Sequence, residues 1–222
     1  MFDRIAQTYD SLNGILSFGM HRAWRRRALA HLPTRNELRA LDVATGTADV
    51  ALALLDDPRV AHVTGCDLST GMLERGREKI ARHRRAAACE LVVGDALSLP
   101  FDDGSFDVVT ISFGIRNVTD TDRGLSELRR VLAPGGRLIV LEFSTPEPGP
   151  FGAIYDVYRR AILPRIGGAL SGDAHAYGYL DRTIASFPSG EAMVNRLTAA
   201  GLLGARREPL ALGAVTIYVG ER

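Results

Sequence analysis

Short unbroken apolar runs alternate along this chain with stretches in which apolar residues return every three or four positions. The runs "LRALDVA", "VAHVTGCD", "CELVV", "FDVVTISF" and "GRLIVLEFS" read as strands buried on both faces. Between them, Ala48 to Leu55, Thr70 to Arg84 and Asp122 to Leu132 carry the helical period. Ser69 or Thr70 is the expected N-cap of the second helix, and Pro134-Gly135-Gly136 the expected stop of the third. Residues 1–35 also read as helical, with Trp24, Ala28 and Leu32 at helical spacing and Pro33 marking the end. Such alternation predicts an α/β fold: a mostly parallel sheet covered by helices on both faces.

The last part of the chain breaks this rhythm. "GARREPLALGAVTIYVGER" holds two strand-like segments around Leu212-Gly213, which predicts an antiparallel hairpin after a C-terminal helix. Ahead of it lies an insertion over residues 146–188, with Tyr155, Tyr158, Tyr177 and Tyr179. There Phe151, Ile154, Tyr155, Tyr158 and Ile162 form a helical stripe, while Asp156, Arg159 and Arg160 fall off it. The expected organisation is one domain over 1–222. It comprises a helical lid (1–35), a ligand-binding core (36–145), the insertion on the substrate side, and a helix with a hairpin (189–222).

Charge changes the picture little. A formal net charge of +1 gives no global field for nucleic acid. The local clusters Arg25-Arg26-Arg27 and Arg82, Arg84, Arg85 read as solvated helix faces. Cys66 and Cys89 lie in strand-like runs with no metal-ligand spacing, so they read as buried thiols in a reducing compartment. "MFDRIAQTYD" lacks the pattern of a signal peptide, and no run approaches the roughly 20 apolar residues of a membrane span. The expectation is a cytoplasmic protein, with room for peripheral membrane contact and for a homo-oligomer.

Candidate chemistry gathers at the strand ends, where open parallel sheets bind ligands. The first strand ends in "LDVATGTADVA", where Gly46 permits a sharp turn close to a ligand. The second ends in Asp67, about 20 residues further on, the place of a ribose-binding acid. A dinucleotide fingerprint would require glycines at 48 and 51, where this chain has Ala48 and Ala51. S-adenosylmethionine carries no phosphate and fits better than NAD. Asp67 would accept the ribose hydroxyls, Asp95 the adenine amino group and the Ala96 amide a ring nitrogen; Ser112 would lie beside the methionine part.

The segments "HRAWRR", "DVATGTAD", "GDALSLPF", "ISFGIRNV", "VLAPGGRLIVLEFS" and "YGYLDRTIASFP", in this order, resemble the signature segments of the ubiquinone/menaquinone biosynthesis C-methyltransferases. The resemblance spans nearly the whole chain. It implies a class I methyltransferase fold, S-adenosyl-L-methionine as cofactor and a polyprenylated quinol as substrate, most simply demethylmenaquinol. Carried over, the cofactor contacts fall on Thr47, Asp67, Asp95, Ala96 and Ser112. Ala48 stands where the family often has Gly, which is expected to tighten the pocket for the cofactor's tail. Leu12 replaces a common Met, a volume-conserving change.

Methylation of a quinol carbon needs that carbon held about 3–3.5 Å from the methyl donor. It also needs the neighbouring hydroxyl ionised and a proton removed. Arg116, at the mouth of the fourth strand, is a candidate to lower the hydroxyl's pKa, with Asn117 orienting that oxygen or a water. The resemblance places this pair in the active site. The competing reading is that Arg116 pairs with Asp10 or Asp173 and pins a lid. Asp173 and a water relayed through Asn117 are the two candidates for the base, with Gly167, Gly168 and Gly172 as hinges around Asp173. The His residues show no metal-ligand spacing, and His21 reads as structural. The alternatives left open are a benzoquinol substrate, an O-methyltransferase, or a non-catalytic adenosyl-ligand binding protein.

Overall fold

The computed structural model of the chain describes residues 19–146, 149, 152, 183, 184 and 187–222. Helix α1 (His21–Leu29) leads to β1 (Leu38–Val43), α2 (Asp49–Asp56), β2 (Val60–Asp67), α3 (Thr70–Ile80) and β3 (Cys89–Val93). Then follow β4 (Phe106–Ser112), α4 (Thr121–Val131), β5 (Leu132–Phe143), α5 (Glu191–Ala199), β6 (Leu203–Leu210) and β7 (Val215–Glu221). The strands form one sheet in the order β3-β2-β1-β4-β5-β7-β6. All neighbours up to β5 run parallel, and β7 enters antiparallel between β5 and β6. The direction of winding reverses between β1 and β4, so their carboxyl ends open a crevice.

Residue alternation in the central strands feeds two cores. Leu38 and Ala40 face the cluster holding Ala28 and Leu29 of α1 and Val50, Leu54 and Leu55 of α2. Leu41 and Val43 face the cluster holding Leu125 and Leu128 of α4 and Met193 and Leu197 of α5. Covering both faces explains why the strands read as continuous apolar runs. Helix α3 lies close to the β1–α2 turn because Gly76 has no side chain; a Cβ there would stand 3.2 Å from the Ala48 Cβ.

The predicted strands and the hairpin are present, and Ser69 is the N-cap of α3, its hydroxyl accepting from Met72 N. Two elements differ. Helix α3 ends at Ile80, short of Arg84: Arg82 N and His83 N bond back to Lys79 O and Ile80 O in tighter turns. Arg85, read as part of a solvated face, instead donates to Leu55 O at 2.7 Å and Val60 O at 2.6 Å, joining the end of α2 to the start of β2. Pro134-Gly135-Gly136 does not stop a helix. Helix α4 ends at Val131, and these residues form a bulge inside β5, where the pairing passes from Phe106↔Leu132 to Val108↔Arg137. The insertion stripe at 151–162 lies outside the described residues. No helix among the described residues is long and apolar enough to cross a membrane.

Candidate active site

A cavity of about 290 Å³ opens at the carboxyl ends of β1, β2, β3 and β4. Two turns of its wall, after β1 and after β4, hold left-handed residues. Ala44 (φ 53°) and Phe113 (φ 55°) adopt the left-handed conformation just after β1 and β4, where non-glycine residues cost about 1–2 kcal/mol. Gly46 (φ 56°) takes the same region without that cost, with nothing within 4 Å of where a Cβ would be. Strain gathered at one cavity is a mark of a functional site. Ala48 is also left-handed (φ 65°), as the N-cap of α2. It is fully buried against α3 and does not line the cavity, so the expected tightening of a tail pocket does not occur there. The substitution for Gly is felt as backbone strain instead.

Asp67 ends β2 and is half-buried. Its Oδ2 accepts Gly46 N at 2.8 Å and its Oδ1 accepts Ser69 N at 2.9 Å, so the carboxylate ties two turns together. Asp95 Oδ1 accepts Leu97 N at 2.9 Å, folding the chain after β3 over the cavity. Ala96 and Ser112 line the wall as expected. Thr47 does not: it is buried, and its hydroxyl accepts from Lys79 Nζ at 3.1 Å. The lining includes two carboxylates and no Lys or Arg among the described residues. That field repels a pyrophosphate and suits a cationic ligand such as a sulfonium.

Beneath the Gly46 turn, Asp42 is buried at 1% exposure. Thr45 Oγ1 donates to it at 2.6 Å and Thr110 Oγ1 at 2.7 Å. Burial pushes its carboxyl up to about 6, against the pull of both hydroxyls.

Arg116 and Asn117 lie in one short turn, Ile115–Asn117, anchored by fully buried Ile115. Asn117 lines the cavity; Arg116 stands behind it. The Arg116 Nη1 donates to Glu142 Oε1 at 2.6 Å and to Phe113 O at 2.5 Å, and its guanidinium lies 5.3 Å from the Phe143 ring centre. Glu142 is 0% exposed and also accepts Phe143 N at 2.8 Å. Burial pushes the Glu142 carboxyl above the usual carboxylate value, opposed by Arg116. The acid that Arg116 meets is thus Glu142, which the sequence reading did not name; Asp10 and Asp173 lie outside the described residues. The signal was present: a glutamate inside "LIVLEFS" is a buried charge that requires a partner. Two polar atoms of this turn, Arg116 Nε and Asn117 Oδ1, are buried with no hydrogen-bond partner among the described residues. Leu68 and Met72 also line the cavity, and Leu68 is 64% exposed; its place directly after Asp67 was the available clue. No group of three or more potential metal ligands occurs among the described residues.

The profile of the ubiE/COQ5 methyltransferase family matches residues 1–222. The chain belongs to that family. Among curated relatives, a demethylmenaquinone methyltransferase of Thermus thermophilus is 46% identical over 222 residues, covering 100% of both chains. The ubiquinone/menaquinone biosynthesis C-methyltransferase UbiE of Geotalea daltonii is 44% identical, covering 100% of this chain and 94% of the relative. Solved structures similar in fold include a SAM-dependent methyltransferase of Thermotoga maritima (TM-score 0.70, 20% identity, 99% of this chain and 97% of that one). The phosphoethanolamine N-methyltransferase 2 of Haemonchus contortus is another (TM-score 0.64, 16% identity, 89% and 52%). These likenesses mark the fold as that of class I methyltransferases. Within the ubiE/COQ5 fold, the structure brings Gly46, Asp67, Asp95, Ala96, Ser112 and Asn117 to one cavity and leaves Thr47 and Arg116 behind its wall.

Proposed function

We propose that this ubiE/COQ5-family protein transfers a methyl group from S-adenosyl-L-methionine to a ring carbon of a polyprenylated quinol, with demethylmenaquinol the favoured substrate. The ring assignment follows the full-length relative at 46% identity. The cofactor, when bound, supplies the methyl as a sulfonium electrophile. The residues present fit it: carboxylates for the ribose and adenine edges, apolar Leu68 and Met72, and no cation in the lining among the described residues. Asp67 and Asp95 hold the adenosyl part, the Ala96 amide faces the ring, and Ser112 borders the tail.

One observation carries the placement of the chemistry: Asn117 lines the cavity, and its buried Oδ1, like Nε of the preceding Arg116, meets no hydrogen-bond partner among the described residues. Buried polar atoms rarely stay unpaired in a finished structure, so such a pair supports a role in meeting a ligand. Asn117 orients the quinol hydroxyl. Arg116 acts on that oxygen from behind the wall, by holding the Asn117 turn through Phe113 O and Glu142 rather than by touching the substrate. Asp173 remains our candidate for the base. The exposed Arg22 and Arg26 of α1 support contact with an anionic membrane that holds the substrate's tail. Comparable sedimentation with anionic and neutral vesicles would remove that contact.

The test is incubation with methyl-labelled cofactor and either demethylmenaquinol or a methoxy-benzoquinol, with NMR assignment of the product. The expected product is carbon-methylated menaquinol. Methyl on oxygen would make the protein an O-methyltransferase, and no transfer to either quinol would leave only a binding protein.

A further inference from the structure

Residues 95–103 bring Asp95, Ala96 and Leu97 to the cavity and then run to Asp103 without helix or strand, apart from a bridge between Asp95 and Ser98. This stretch is fastened from outside by one stripe of α4. Arg123, Glu127 and Arg130 are four and three residues apart, the spacing that places side chains on one helix face. Arg123 Nε donates to Leu97 O at 3.0 Å, and Leu99 N donates to Glu127 Oε2 at 2.9 Å. Arg130 donates to Leu99 O at 3.0 Å, to Phe101 O at 2.8 Å and to Asp103 Oδ1 at 2.8 Å. Glu127 receives Nε and Nη2 of Arg130 at 2.8 and 2.9 Å, a two-pronged pairing that fixes the guanidinium plane. Most of these contacts go to the main chain, so they set the path of the stretch whatever its side chains. Isolated surface ion pairs contribute little, but a two-pronged network with several main-chain partners is the exception. The Glu127 carboxyl is accordingly held below its usual value, chiefly by the Arg130 hydrogen bond.

We infer that Arg123, Glu127 and Arg130 are positioning residues for the cofactor: from outside the cavity they hold residues 95–103 in the shape that receives the adenosyl end. The inference rests on reading the cavity as the adenosyl site. Ordering a free backbone costs conformational entropy at every residue, and a stretch ordered in advance spares the ligand that cost. If the released stretch keeps its binding shape about one-tenth of the time, the apparent Kd rises about tenfold. Turnover at saturating cofactor stays unchanged, because the ligand restores the shape it needs. Arg129 supplies the control: it lies on the same helix but donates to Gly201 O at 3.0 Å, away from the cavity.

The experiment is calorimetric titration of S-adenosylhomocysteine into wild type, Arg130→Gln, Glu127→Gln and Arg129→Gln, with turnover and hydrogen exchange alongside. We expect Kd about tenfold higher in Arg130→Gln, the same direction in Glu127→Gln, and no change in Arg129→Gln. Saturated turnover should stay within twofold (about 0.4 kcal/mol by the tenfold-per-1.4 rule). The Leu99 amide should exchange faster in Glu127→Gln, whether or not ligand is present. Unchanged Kd and unchanged exchange in folded Arg130→Gln and Glu127→Gln would overturn the inference alone. Wild type that failed to bind the ligand would overturn the adenosyl reading, and the inference with it.

Discussion

At the Asp67–Asp95 end of the cavity the carboxylates are half-buried and accept main-chain N–H groups, whereas at the Arg116 end opposite charges are buried and pair with each other. The first arrangement lines the cavity, where a ligand can come and go without parting an ion pair. The second is fixed: a guanidinium at 9% exposure and a carboxylate at 0% cannot part without stranding a charge. In the proposed reading the first end binds the cofactor and the second holds the Asn117 turn in place. A buried ion pair is weak evidence of stability, because hydrophobic residues of similar volume usually serve as well. Its place directly behind Asn117 of the cavity wall is what the proposed chemistry rests on.

The largest effect that would break this contrast is on stability. Glu142→Ala leaves Arg116 buried without its counter-charge and should cost about 3–5 kcal/mol in urea denaturation. The double variant Arg116→Met, Glu142→Leu should recover most of that loss; a double variant no more stable than the single would mean that packing, and not the stranded charge, sets the cost. Next comes Asp42 under the binding turn. Its folded value is about 6, above the unfolded carboxylate range near 4, so the unfolded chain releases this proton first as pH rises. The site's contribution is therefore complete below about pH 4 and lost through pH 6, some ~3 kcal/mol in all. Wild type should lose about that much relative to Asp42→Asn between pH 4 and pH 7; parallel stability curves would contradict it. The smallest of the three is Asp67→Ala, which removes charge-assisted bonds worth about 1.5–3 kcal/mol. Kd for S-adenosylhomocysteine should rise about tenfold to a hundredfold. Because Asp67 also ties Gly46 to Ser69, a fall in melting temperature accompanies it. Unchanged calorimetric affinity would remove the ribose assignment.

The sequence disclosed the parts whose causes are local. Strands buried on both faces appear as unbroken apolar runs, Ser69 lies three residues before the amide it caps, and Leu212-Gly213 marks a hairpin tip. It misled where one composition serves two structures: Pro134-Gly135-Gly136 suits a helix stop and a strand bulge equally. Arg85 looked like surface charge because its carbonyl partners lie 25 and 30 residues away. Likewise, the Arg116–Glu142 pair spans 26 residues, and no local pattern selects one distant acid over another. The strand-end residues Asp67, Asp95, Ala96 and Ser112 were legible because the topology fixes where strand ends meet. Thr47 was not, since facing the cavity or Lys79 depends on the left-handed turn at Ala48.

The division of labour between the two ends meets its most direct test in Arg116→Gln, which keeps a donor toward Glu142 but removes the guanidinium. The measurement is turnover of demethylmenaquinol at saturating cofactor, with the cofactor affinity of the same preparation. The account predicts turnover lower by roughly 10², the scale of a catalytic group displaced by about 1 Å, at unchanged affinity. Turnover within a few-fold of wild type, with only the melting temperature reduced, would make the buried pair a structural element and contradict it.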